Sequence, residues 1–334
     1  MTTIYQVADL AGVSLATVSR VINNTSPVSD KTRQKVLAAM AQLRYRPNAI
    51  AQALASQRSN CIGVLVSELH GAFFGAMLSA VEGTLKEAGK FVIVAAGHNS
   101  AAQEQEALEF LASRSCDALI VHVEALPDKA LVEYNTALIP LVVMNRKVRG
   151  LPDRCVSLNN RRGGSLATQL LLEMGHRRIA YVSGPLGFHD ARERLAGHKH
   201  ALAKFTVELD ERLVYEGDYH EAGGARALER LLETRIPFSA IVCANDEMAA
   251  GAMAAARERG LGIPEDLSIV GFDNAPISRY MYPPLATVDY PIADMGRMAA
   301  RWVLRNIYEN ADLEIELSFE PVVLPRKSAA RVAT

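Results

Sequence analysis

From Cys61 to about Asp273, short β-branched runs alternate with longer stretches of helical spacing, and no other feature narrows the possible folds as far. Strand-like runs begin at Cys61 (CIGVLVS), Phe91 (FVIVAAG), Ala118 (ALIVHVE) and Pro140 (PLVVMN), with helical patterns at 72–89 and 101–114. After a strand around Val156 and a helix at 161–174 the alternation restarts. It gives runs at Ile179 (IAYVSG), Leu213 (LVYEG), Ala240 (AIVCAN) and Leu267 (LSIVGFD), separated by helices near 190–204, 220–234 and 246–259. Repeated strand–helix–strand units predict parallel sheets with helices on both faces. Two such series predict an α/β body of two similar doubly wound lobes. No G-x-G-x-x-G, P-loop or G-x-S-x-G interrupts them, so neither a nucleotide cofactor nor a serine nucleophile is expected.

The first 60 residues differ in texture. Three short helices are predicted before Tyr45-Arg46-Pro47. The first runs from Ile4 to Ala11, with Val7, Ala8, Leu10 and Ala11 apolar, and Gly12 breaks it. Ser14 is a good N-cap for a second helix carrying Val18, Val21 and Ile22, and Ser29 caps a third carrying Val36, Met40 and Leu43. A short Ala- and Leu-rich helix at 48–56 and a polar linker follow. The predicted organisation is therefore a head at 1–46, a hinge and linker at 47–60 and a body at 61–334. Charge divides at the same place. Residues 1–58 hold seven Lys and Arg against Asp9 and Asp30, net +5, which leaves −6 for the rest of a chain whose total is −1. A basic head on an acidic body suggests a polyanion partner for the head alone.

The head's spacing is that of an all-α helix-turn-helix module. A small residue, Ala8, lies where two helices pack closely. Gly12, four residues on, tolerates a left-handed turn, and Val18, six further on, faces inward. The second helix then presents Leu15, Ala16, Ser19 and Arg20 outward near its N-terminal half, where groove-reading side chains sit. Arg20 suits bidentate donation to guanine O6 and N7. Ser14, Thr17, Ser29 and Thr32 are placed for phosphates, partly through helix N-terminal amides. Thr3, Tyr5, Asn23 and Asn48 complete the candidate DNA face. The competing reading is a generic three-helix bundle without DNA.

The stretch IYQVADLAGVSLATVSRVIN, with SDKTR at 29–33 and YRPNA at 45–49, closely resembles the LacI/GalR repressor family, its galactose-responsive members above all. Further matches cover nearly the whole chain: FFGAM at 73–77, GHRRI at 175–179, ANDEMAAGAM at 244–253 and GFD at 271–273. The resemblance implies a body of the periplasmic-binding-protein type (type I), with ligand held between the lobes. It implies that 47–56 is a hinge helix ordered over the operator, with Leu54 as a minor-groove wedge and Ala51 one turn earlier. It also implies effector contacts from Asn145, Asn245 and Asp273 at strand ends, from Arg194, and from Tyr219, Phe73 and Phe74 as aromatic faces. Sugars need hydroxyl partners that donate and accept, with an aromatic face beneath the C–H side. The chain departs from the family at His70-Gly71-Ala72, where Ser-Asn/Asp-Pro is usual, so the polar contact of the first lobe is expected to move to Ser67 or His70. Asn159-Asn160 likewise replaces an acidic pair. Each polar residue at a strand end has a second reading as a turn or helix cap, Asn245 most obviously.

The expected function is a sequence-specific DNA-binding repressor of sugar-utilisation genes, released by a small, neutral, galactose-like sugar. Pairing one arginine with one aspartate in the candidate set leaves no surplus charge for a phosphate. A purine-type corepressor-dependent regulator and a sugar-binding protein without DNA function are the alternatives; an enzyme is not expected. No cofactor is expected. The four cysteines are far apart and read as buried free thiols. His198 and His200 do not share a helix face, so no metal is expected there. The N-terminus lacks a signal-peptide pattern, predicting the cytoplasm. No long C-terminal heptad tail is present, which favours a homodimer joined through the body.

Overall fold

The computed structural model describes residues 2–23, 27–46, 58–137 and 139–332, and the chain divides into two compact units at Asn60/Cys61. In the smaller unit, Thr3 opens α1 (Ile4–Ala11) with a capping box: its hydroxyl accepts from Gln6 N–H while the Gln6 side chain accepts from Thr3 N–H. Gly12 ends the helix at φ 64°, ψ 39°, a conformation that a Cβ would strain. Ser14 accepts from Thr17 N–H ahead of α2 (Leu15–Asn23), and Ser29 accepts from Thr32 N–H ahead of α3 (Asp30–Gln42). Val7, Ala8, Ala11, Val18, Val21, Val36 and Ala39 close into one buried cluster. Leu10, apolar like its neighbours on α1, is exposed. At about 100° per residue it lies well off the line through Val7 and Ala11.

The body holds two six-stranded sheets. Lobe 1 contains β1 (Cys61–Val66), β2 (Phe91–Ala96), β3 (Ala118–Val121), β4 (Leu141–Met144), β5 (Cys155–Leu158) and a late strand, β11 (Ser318–Phe319), in the order β11-β5-β4-β3-β1-β2. All its pairs are parallel; Val64, for instance, faces Val94 on one side and Ile120 on the other. Lobe 2 contains β6 (Ile179–Ser183), β7 (Val214–Glu216), β8 (Ala240–Cys243), β9 (Ser268–Asp273), β10 (Ala286–Asp289) and β12 (Val322–Leu324), ordered β12-β10-β9-β8-β6-β7. Only β12 runs antiparallel to its neighbour. β3, β4, β5 and β8 are buried along their whole length, which explains their unbroken apolar runs.

The helices that matter for the site are α4 (Ala72–Glu87) in lobe 1 and α7 (Asn160–Glu173), α8 (His189–Lys204), α9 (Glu221–Glu233) and α10 (Asp246–Glu258) in lobe 2; α5 (Ala101–Ser113) and α6 (Asp128–Ala137) cover lobe 1. α7 crosses α8 where Gly164 leaves no room for a Cβ against the Arg194 carbonyl and Gly197 none against the Arg161 carbonyl. α9 and α10 cross the same way, at Gly224 and Gly251. Besides α6, the alternation did not reveal β10, β11, β12 or the 16-residue α11 (Ile292–Ile307). These segments carry the chain between lobes twice more. After β5 it enters lobe 2; after β10 it returns to lobe 1, where Gly296 of α11 packs on Met77 of α4; after β11 it ends in lobe 2 with β12. All four cysteines are free; Cys116, Cys155 and Cys243 are buried, while Cys61, expected to be buried, is half-buried at the first strand's start. Among the described residues no helix is long and apolar enough to cross a membrane.

Candidate functional site

The carboxyl ends of the parallel strands from both lobes open onto one cavity of about 720 Å³, counting its mouth. Such ends, with the helix N-termini beside them, are where α/β sheets hold ligands. Ser67 follows β1, Asn145 follows β4, Tyr219 lies two residues before α9, Asn245 follows β8 and Asp273 ends β9; Phe74 comes from α4, His70 from the loop before it and Arg194 from α8. All eight sequence-predicted effector residues line this cavity, although they come from both lobes.

A buried polar chain joins the lobes beneath it. Arg194 Nε donates to Asn160 Oδ1 at 2.9 Å, and Asn160 Nδ2 donates to Asn145 Oδ1 at 3.1 Å. Arg194 also donates to the Ala244 carbonyl at 2.5 Å and lies 3.4 Å from Asp190 and 3.8 Å from Asp273. Its guanidinium covers the Phe272 ring at 3.9 Å. An arginine this enclosed has its donors fixed, so it presents a rigid edge to a ligand. Asn245 does cap α10, accepting from Met248 N–H, and its amide donates to the Tyr219 carbonyl. It therefore lines the cavity and holds Tyr219 in place.

Aromatic rings form the rest of the wall. Phe73 packs edge-on to Phe74 and Tyr290, Phe74 edge-on to His122, and Tyr219 stacks with Phe188. Gly184 leaves no room for a Cβ because the Tyr219 ring occupies that place. Asn145 (φ 64°), Tyr219 (φ 68°) and Asp273 (φ 110°) have left-handed backbones, which costs non-glycine residues free energy and is concentrated at sites where side-chain direction matters. Several buried polar atoms here lack a partner: Asn99 Oδ1, His122 Nε2, the Tyr219 hydroxyl and, behind Phe73, the Tyr290 hydroxyl. Unpartnered buried donors and acceptors are costly and suit a ligand rich in hydroxyls. Burial pushes His122 down to about 4, so its ring is neutral at physiological pH.

On the head, Leu15, Ala16 and Arg20 of α2 and Tyr5 of α1 are exposed. Ser19 Oγ accepts from Asn23 Nδ2 at 3.2 Å, and the Ser14 and Thr17 hydroxyls are 2.9 Å apart. The hydroxyls of Thr3, Ser14 and Ser29 each cap a helix, so a phosphate approaching there would meet backbone amides beside an already engaged oxygen. Asn48, Ala51 and Leu54 lie outside the described residues.

Residues 3–48 match the bacterial regulatory proteins of the lacI family, and residues 168–329 match the periplasmic binding protein-like domain. The chain is 40% identical over 331 residues to the HTH-type transcriptional regulator GalR of Escherichia coli K12, covering 99% of this chain and 96% of that protein. It is 41% identical over 330 residues to GalS of Salmonella typhimurium LT2, covering 99% and 97%. The chain belongs to the LacI family. The lac repressor dimer bound to operator and the anti-inducer ONPF superposes with a TM-score of 0.87 at 31% identity, over 98% of this chain and 99% of that one.

Within this LacI-family body the charge of the cleft differs from the sequence expectation. One arginine, Arg194, faces five carboxylates in the lining: Glu68, Asp190, Asp218, Glu247 and Asp273. The expected one-to-one balance is corrected because most of these acids come from loops and helix starts that strand-end reasoning did not reach. The consequence for an anion is stronger repulsion. Burial drives the Asp273 carboxyl well above the usual range, against the pull of Arg194. Asp190, four residues before Arg194 on one helix face, was legible as an i,i+4 pair; Asn160, His122, Asn99 and Tyr290 had no local signal.

Proposed function

We propose that this LacI-family chain is a sequence-specific DNA-binding repressor of sugar-utilisation genes, freed from its operator when a small galactose-like sugar fills the cleft between its lobes. The observation that carries the reading is the cleft itself, with an enclosed arginine, aromatic walls and buried polar atoms lacking partners, drawn from both lobes. Its acidic lining favours a neutral ligand over a phosphate or a carboxylate. The reading assigns effector contacts to Ser67, His70, Phe74, Asn145, Arg194, Tyr219, Asn245 and Asp273. It assigns base and phosphate contacts to the exposed face around Leu15, Ala16 and Arg20, with Thr3, Tyr5, Ser14, Thr17, Ser19, Asn23 and Ser29 around it. Residues 47–60 serve as a hinge, with Asn48 and Ala51 at the DNA and Leu54 as the wedge. The ligand is bound and released unchanged, and the protein works in the cytoplasm as a homodimer. Exposed apolar side chains on the body support the dimer: Phe91 (70%) and Val94 (38%) on edge strand β2, and Tyr280 (81%) and Tyr282 (85%) on lobe 2. The test is an operator-binding titration against a panel of monosaccharides and a panel of purines, with calorimetry of each ligand alone. A sugar that binds and weakens operator binding is the expected result. Binding by a purine only, with operator affinity raised, would make this a corepressor-dependent regulator.

A further inference from the structure

At the mouth of the cleft, side chains from opposite lobes meet that no local spacing connects. Glu68 and His70 stand on the loop between β1 and α4 in lobe 1; His220 is the N-cap residue of α9 in lobe 2. Glu68 Oε2 lies 3.2 Å from His70 Nε2, and Glu68 Oε1 lies 3.8 Å from His220 Nε2. One donor atom from each residue lies within 4.8 Å of the other two. The two imidazoles stack at 5.8 Å between centroids. A second carboxylate is adjacent: Glu247 Oε1 lies 3.4 Å from where a Cβ on Gly71 would sit.

We propose that Glu68, His70 and His220 form a binding site for a divalent first-row transition metal, zinc foremost, that ties lobe 1 to lobe 2. Two imidazoles and one carboxylate are a borderline donor set of the kind zinc takes, with a fourth position left for water or a ligand hydroxyl. Zinc about 2 Å from each donor in a tetrahedron sets the donors about 3.3 Å apart. The Glu68–His70 separation already meets this, and the others close by an ångström or so. The rings must turn from their stack to aim both nitrogens at one point. The His70 and His220 side chains are 71% and 42% exposed, which leaves them room to do so. Nothing in this assignment depends on which sugar the cleft takes. Because the donors belong to different lobes, the bound metal stabilises this arrangement of the lobes over any that separates Glu68 from His220. Its binding is then linked to every ligand that moves them.

The test is a zinc titration of the full, tag-free chain against a chromophoric chelator, alongside His70→Gln, His220→Gln and, as an off-site control, His200→Gln. His200 is exposed on α8. One zinc per chain is expected, bound at least tenfold more weakly by each of the first two variants and unchanged in the control. Zinc should also raise the thermal midpoint of the wild type and the control more than that of either site variant. Cobalt should give the intense visible bands of a low-symmetry site in the wild type and the control, and in neither site variant. Equal zinc affinity in wild type and either site variant overturns the bridge, as does a loss confined to one of the two.

Discussion

Arg194 shows why the most informative residue for this site is a poor one to delete. Its guanidinium satisfies Asn160, the Ala244 carbonyl, Asp190 and Asp273 at once, and the side chain is 3% exposed. Removing one partner of a buried charge pair costs about 3–5 kcal/mol because the others stay buried and unpaired. Arg194→Ala would therefore confound folding with binding. Asp273→Asn is cleaner, since burial already drives that carboxyl toward its uncharged form and the amide keeps its shape. We expect it to weaken effector binding at least tenfold while leaving operator affinity within about twofold, both read by titration. Linear loss of both affinities would remove Asp273 from the effector site. A second residue-scale prediction concerns His198. The Thr168 hydroxyl donates to the Gly164 carbonyl and so accepts from His198 Nδ1, while Nε2 has no partner. Burial pushes this ring down to about 3 and His122 down to about 4. A histidine lowered by folding contributes stability that is complete above the unfolded value of 6.5 and is lost as pH falls toward the folded one. Each ring should then cost about 1.4 kcal/mol per pH unit below about 6.5. Chemical denaturation at pH 7 and pH 5 should show a smaller loss for His198→Phe than for the wild type; equal losses would mean that the ring is charged in the fold.

Among the elements, the crossing of α7 on α8 sets where the arginine edge lies. Gly164 touches the Arg194 carbonyl itself, so a methyl group there must push the helix bearing Asp190 and Arg194 outward. Gly164→Ala should destabilise the body by about 1–3 kcal/mol through overpacking and weaken effector binding further than Gly83→Ala on α4, where no atom lies within 4 Å of the added Cβ. Denaturation midpoints and effector titrations of the two variants check this. Equal effects on the effector would mean that helix spacing does not position Arg194. On the head, α2 presents Leu15 and Ala16 in its first turn, fixed by the Ser14 cap and the Gly12 turn. Replacing both should change the preferred operator in a randomised-site selection without changing the charge that drives non-specific binding. An unaltered preference would assign base reading to other residues.

For the whole molecule, the prediction is about assembly. Edge strand β2 exposes Phe91, and lobe 2 exposes Tyr280 and Tyr282, the side chains to which the proposed dimer assigns its contact. The double change Phe91→Asp, Tyr282→Asp should yield monomers in sedimentation. It should also lower operator affinity more than tenfold, because two heads on one dimer bind two half-sites as a single ligand. A dimer that survives the double change would place the interface elsewhere. Linkage adds a constraint at the same scale: sugar must weaken operator binding by the same factor by which operator weakens sugar binding.

Local physics alone specified much of this protein. The left-handed Gly12, the Ser14 and Ser29 caps and the Ala8–Gly12–Val18 spacing are decided within a few residues, so the three helices of the head and their caps were legible. Parallel strands buried on both faces write themselves as apolar runs, so nine strands and six of the seven helices between them could be placed, and with them the strand-end residues Asn145, Asn245 and Asp273. The short strands β10 to β12 and helix α11 lay beyond the clear alternation, and no local pattern says which lobe a strand joins. Only the tertiary structure decided that the chain returns to lobe 1 through α11, that Asn160 links Asn145 to Arg194, that His122 and Asn99 face the same cavity, and that Tyr290 backs Phe73 in its wall. It also brought His220 to Glu68 and His70, across some 150 residues of chain. Such neighbours are chosen by how loops on separate lobes converge, and spacing along a sequence carries no trace of that.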